Sequence, residues 1–152
     1  MTVLNDAIFQ AATELEKRPE KRRAILVLSD GSDTKSKVSS DKALKAALKA
    51  NAMIYTVDMS SIKMDGKERM QSQSALKNFA EKTGGKFVAT PGGIELRNAF
   101  KNIAEELGNQ YTFGYEPNNV KKDGKWHSLE VRVSRPNLVI RTREGYNAEK
   151  AK

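Results

Sequence analysis

The stretch Ala24-Ile25-Leu26-Val27-Leu28-Ser29-Asp30-Gly31-Ser32-Asp33-Thr34 decides the reading of this chain. Five apolar residues run without interruption into a Ser-Asp-Gly turn that holds two carboxylates and three hydroxyls. Such a run is expected to form a strand buried on both faces, the mark of a parallel sheet covered by helices. Ligands of these sheets bind at the carboxyl ends of the strands, where Asp30 falls.

Working outward, Leu4, Ile8, Ala11, Ala12 and Leu15 form one apolar face at helical spacing over residues 4–18. Pro19 and the Lys21-Arg22-Arg23 cluster end that helix before the strand 24–29. Beyond the turn, Ser39 or Ser40 caps a second helix with Asp41 in its first turn and Ala43, Leu44, Ala47 and Leu48 inward. Residues 52–57 repeat the apolar run and again end in an acid, Asp58. A polar loop over 60–70 leads to a helix with Leu76 and Phe79 inward, stopped at Gly84 or Gly85. A short strand, 86–90, and a Pro91-Gly92-Gly93 turn precede a fourth helix showing Leu96, Phe100, Ile103 and Leu107. This α-β-α-β-α-β-α alternation argues for an α/β domain with at least three parallel strands.

The pattern changes at Gln110. Tyr111, Phe113 and Tyr115, then Leu129, Val131 and Val133, alternate with polar residues, and 138–142 follow a Pro136-Asn137 turn. Period two with such turns predicts antiparallel strands, with Asn118-Asn119 and Asp123-Gly124 in the loop between the first two. Residues 1–109 are thus an α/β region and 110–152 an antiparallel β extension packed with it as one domain, its last residues, 149–152, frayed. The aromatics Trp126, Tyr111, Phe113 and Tyr115 are expected in the core, and His127 as a partly buried strand residue.

The 152 residues suit one domain. No cysteine is present, which excludes disulfides and thiolate metal sites, and the single histidine excludes multi-histidine metal sites. Apolar runs are too short for a membrane span, and the first residues lack a signal-peptide pattern. The net charge of +8 is dispersed, with no nucleic-acid motif beside it. It reads as a solvated basic surface, not a specific nucleic-acid site.

Several segments carry a family resemblance. Thr2-x-x-x-Asp6-Ala7-Ile8 followed by Arg22-Arg23 and the stretch quoted above resembles the second half of a von Willebrand factor type A (VWA) domain. The runs Leu76-x-x-Phe79-Ala80-x-x-Thr83-Gly84-Gly85, Glu106-Leu107-x-Asn109-Gln110-Tyr111-Thr112-x-Gly114-Tyr115, Asp123-Gly124-Lys125-Trp126-His127 and Arg135-Pro136-x-Leu138-x-x-Arg141-Thr142-Arg143-x-Gly145-Tyr146 are similar to a bacterial branch of that family. The resemblance implies a doubly wound fold, often extracytoplasmic, that binds proteins. A Mg²⁺ or similar ion at a metal-ion-dependent adhesion site captures a partner's acidic residue. Position by position, Asp30 matches the family's Asp ligand after its fourth strand and Thr2 its loop Thr.

The Asp-x-Ser-x-Ser motif that supplies the other ligands is absent; in the family it would lie upstream of Met1. Mg²⁺ takes six oxygens at about 2.0–2.1 Å and sheds water reluctantly, so Asp30 and Thr2 alone imply a weak site or none. Asp33 and Asp58 are expected to cap turns, and Thr2 to serve as an N-cap. The strand matching 24–29 would lose its neighbour, exposing an edge prone to pairing. Two outcomes follow: a homodimer or segment exchange through 24–29, or C-terminal strands packing beside it. The resulting expectation is a truncated VWA-like protein-binding module and no enzyme. Its alternatives are a metal-independent scaffold or oligomerisation module, and a Mg²⁺-dependent phosphatase-like α/β enzyme.

Overall fold

The two longest apolar runs lie side by side as parallel strands. In the computed structural model, which describes residues 2–60, 66–90, 92–116 and 123–148, they are β1 (Arg23–Ser29) and β2 (Ala52–Asp58). Their register runs from Arg23 opposite Ala52 to Ser29 opposite Asp58. A shorter β3 (Phe87–Ala89) pairs parallel with the other side of β2, ending with Asp58 opposite Ala89. Among the described residues the strand order β1-β2-β3 makes β2 central and β1 an edge.

Four helices, α1 (Leu4–Glu16), α2 (Ser40–Lys49), α3 (Gly66–Thr83) and α4 (Gly93–Gly108), alternate with these strands. The Ser39 hydroxyl starts α2 by accepting the Lys42 amide at 3.3 Å, which meets one orphan amide of the helix end, and Asp41 in the first turn complements the helix dipole. Gly84 stops α3 at φ +79, and a Cβ there would sit 2.5 Å from the Thr142 backbone. That one glycine serves both the turn and the passage of the C-terminal segment.

The sheet is covered unequally. On one face Ile25 and Ile54 pack with Leu4 and Ile8 of α1, Ala43 and Ala47 of α2, and Leu76 and Phe79 of α3. On the other, Tyr55 and Val57 pack against Ile103 of α4. Only one helix serves that second face, and it leaves Leu26 39% and Leu28 45% exposed on β1. The expectation that 24–28 is buried on both faces is therefore corrected. The strand buried on both is β2, whose residues 54–58 are all buried.

The C-terminal extension also differs from its expected form. A two-stranded antiparallel sheet is present, but it pairs β4 (Trp126–Ser128) with β5 (Gly145–Asn147), beside the runs 129–133 and 138–142 and not within them. Gly145 permits this closure, because a Cβ there would approach His127 O to 2.2 Å. His127 is half-buried and stacks on Tyr146 at 5.5 Å, as a partly buried strand residue should. Tyr111 and Phe113, however, are 86% and 82% exposed, and Tyr115 and Trp126 are also exposed, so the core role expected for these aromatics is corrected. Alternation buries a face only where a second layer lies on it, and no described element covers this one. Among the described residues the two sheets share no strand, so no C-terminal strand pairs with β1. Residues 61–65, Pro91, the Asn118-Asn119 turn and the end 149–152 lie outside the described residues.

Candidate functional site

The turn after β1 folds through its own side chains. Asp30 Oδ1 accepts the Ser32 amide at 3.0 Å, and Ser29 Oγ accepts the Gly31 amide at 3.0 Å. Gly31, at φ +79, lets this turn lie on α3, since a Cβ would stand 2.4 Å from Ser72 O.

The rest of the loop is latched to the start of α1. Asn5 donates its amide to Asp33 Oδ2 at 2.8 Å, and Asp33 Oδ1 accepts the Ser36 amide at 3.0 Å. Burial raises the Asp33 carboxyl, but these bonds together with others from Ser36 and Lys35 outweigh it and hold the group below the usual carboxylate range. Asp6 returns the latch, its carboxylate accepting the Lys37 amide at 3.0 Å and the Val38 amide at 2.8 Å. Thr2 joins the same loop through its backbone: its amide donates to Thr34 Oγ1 at 3.1 Å, and its carbonyl accepts the Thr34 amide at 3.1 Å. The N-cap position of α1 is Val3, without a side-chain cap. Thr2 is thus not the N-cap it was expected to be; Asp33, contributed by the loop, meets the orphan amide instead.

Asp58 closes the neighbouring strand, opposite Ser29. It is buried, and it accepts the Ser60 amide at 2.8 Å, the Ser60 hydroxyl at 3.0 Å and Gln73 Nε2 at 2.7 Å. The capping roles expected of Asp33 and Asp58 are what the structure shows. Asp30 is the half-buried acid of this corner that keeps an oxygen, Oδ2, outside the described hydrogen bonds. Among the described residues no three of His, Cys, Asp and Glu gather closely enough to hold a metal ion. One carboxylate and one hydroxyl leave most of the six positions of Mg²⁺ to other oxygens, so the donors present do not complete such a site.

A second polar centre, which sequence reasoning did not assign, lies at the other end of the domain. Tyr55 donates its hydroxyl to Glu106 Oε1 at 3.0 Å and accepts Gln110 Nε2 at 3.1 Å. Arg141 pairs with the same Glu106 carboxylate through Nε and Nη2, which ties the C-terminal segment to α4. Burial and the Glu106 charge push the Tyr55 phenol up to about 12. Nearby, Arg23 donates to the carbonyls of Ala50 and Arg18 at 2.6 and 2.5 Å, while its buried Nε has no partner among the described residues. Arg23, Glu106, Gln110 and Arg141 border a groove of about 510 Å³ lined also by Lys21, Arg22, Tyr111 and Phe113. The Lys21-Arg22-Arg23 run was the available signal, but as sequence it reads only as the end of a helix. No protein-family model matches the chain, and neither a curated protein nor a solved structure matches it.

Proposed function

We propose that this chain belongs to a protein-interaction module of the VWA type. In this reading Asp30 and Thr2 are the part of a metal-ion-dependent adhesion site that the chain itself contributes, and the role is binding, not catalysis. The observation that carries it is the corner where Thr2 and the Asp30 loop meet at the carboxyl end of an edge strand, Thr2 being bonded to Thr34 of that loop. The resemblance puts the strand bearing the missing ligands beside β1, the side on which β1 has no strand neighbour among the described residues.

Titration calorimetry tests the ion. The chain alone is expected to take up Mg²⁺ or Mn²⁺ weakly, above the millimolar range, or not at all, because most coordination oxygens are missing. Submillimolar binding abolished by Asp30→Ala would contradict the incomplete-site reading.

A second reading is favoured by a separate observation. Leu26 and Leu28 are exposed on a strand that, among the described residues, pairs on one side only, which suits a metal-independent module that associates with its own kind edge to edge. Such an assembly would be indifferent to chelators.

A further inference from the structure

We infer that the groove at the amino end of the sheet docks an acidic, apolar peptide strand of a partner protein. It lies at the opposite end of β1 from Asp30, roughly 20 Å away along a seven-residue strand, and it stands whether or not Asp30 binds an ion.

Charge is the first argument. Among the described residues, Lys21, Arg22, Arg23, Arg141 and Arg143 line this groove against a single carboxylate, Glu106. Glu106 is already committed to Arg141. Arg143 is held by Asn51 Oδ1 at 3.1 Å and lies 6.0 Å from the Tyr146 ring, and Arg23 is held by backbone carbonyls. None of these neutralises a cation, so the groove keeps an excess of positive charge that a partner's carboxylates would answer.

Surface chemistry is the second. Tyr111 and Phe113 stack on each other with centroids 6.2 Å apart while remaining largely exposed, and Val139 is 86% exposed beside them. Large exposed apolar surface next to unanswered charge marks an interaction site. The segment 111–115 alternates apolar and polar residues yet pairs with no strand among the described residues. Its backbone can therefore take an added strand, whose alternate side chains would meet the apolar lining.

Two other occupants fit less well. Val131, Val133, Val139 and Ile140 give much of the lining an aliphatic character suited to apolar side chains, and the exposed rings of Tyr111 and Phe113, which bases would stack on, are already stacked on each other. A second copy of this chain would bring the same excess of positive charge to the contact.

The probe is a labelled peptide alternating Glu with Val and Phe, titrated into the full chain and followed by fluorescence anisotropy. Saturable micromolar binding is expected, weakening as NaCl rises from about 50 to about 300 mM. Lys21→Glu with Arg22→Glu, both exposed positions, is expected to weaken it roughly tenfold or more. Tyr111→Ser with Phe113→Ser should do the same, the fold being retained because both rings are exposed. Asp30→Ala and EDTA should leave affinity unchanged. The inference is overturned if the peptide does not saturate, or if neither pair of substitutions weakens it. Equal binding of a peptide with Ser in place of Val and Phe, or tighter binding of a thymidine oligonucleotide, would overturn it too.

Discussion

Asp33 shows how much of this corner rests on single side chains. Its carboxylate holds the Asn5 amide at the start of α1 and the Ser36 amide in the loop at once. In Asp33→Asn one of the two oxygens becomes an amide nitrogen facing an N–H, so stability should fall by about 1.5–3 kcal/mol, the range for bonds to a charged group. Urea denaturation reads this as a lower midpoint at unchanged slope. Because the folded pKa lies below the unfolded value, Asp33 contributes stability above the usual carboxylate range and loses it as pH falls through the folded pKa. The Asn variant should therefore show a weaker acid transition. Thr83 makes a comparable tie: its hydroxyl accepts the buried Ile54 amide at 2.9 Å where β3 is too short to do so. Thr83→Val should cost about 1–3 kcal/mol, because that amide is left buried and unpaired. Tyr55 acts in the opposite pH direction. Its phenol, raised to about 12, supports the fold below pH about 10 and ceases to do so between about 10 and 12. Alkaline unfolding should shift to lower pH than in proteins lacking such a group, and Tyr55→Phe should remove that part of the transition. That Asp33 and Asp58 cap turns was legible from their place after Gly and at a strand end. That Asp33 caps a helix 28 residues upstream was not, because nothing local in the sequence encodes which orphan amide the loop will reach.

Elements carry the next level of the account. Both apolar runs, 24–28 and 52–57, are strands as their sequences indicate, and the four helices keep the expected order. Yet the two runs look alike as sequence and differ in burial, since β2 lies under α4 with Tyr55 and Val57 whereas β1 brings only Ala24 to that cluster. Position within a sheet is a long-range property, so periodicity could not distinguish edge from centre. The C-terminal extension is antiparallel as expected, but its strands lie elsewhere for a related reason. Its alternation at 129–133 and 138–142 is real, but pairing went to 126–128 and 145–147, where Gly145 allows His127 O to approach closely. The basic groove and the Tyr55–Glu106–Arg141 cluster were likewise invisible, being assembled from segments 51 and 35 residues apart. At this scale Gly31 is the joint between the Asp30 turn and α3. A Cβ would stand 2.4 Å from Ser72 O on a backbone with φ +79, so Gly31→Ala must either displace the turn or open its contact with α3. Amide exchange should rise over 30–38 and the facing turn of α3, with smaller changes in β2.

For the whole molecule, the unequal dress of the sheet matters most. One face carries three helices and the other carries one, and β1 stands at the margin with Leu26 and Leu28 uncovered. Covering the part of each leucine that is still exposed is worth about 1 kcal/mol, and an edge strand offers backbone groups for a partner to pair with. A chain of net charge +8 opposes its own association, so self-pairing through this edge should strengthen with salt, whereas docking of an acidic strand in the groove should weaken. At this scale the proposal is that β1, which has a strand neighbour on one side only among the described residues, pairs edge to edge with a second copy of the chain. Light scattering on a size-exclusion column, over a range of concentrations and at moderate salt, tests it most directly. The expected result is a mass that rises above 16.9 kDa with concentration and returns to the monomer in Leu26→Lys with Leu28→Lys. A mass of 16.9 kDa at every concentration would contradict it.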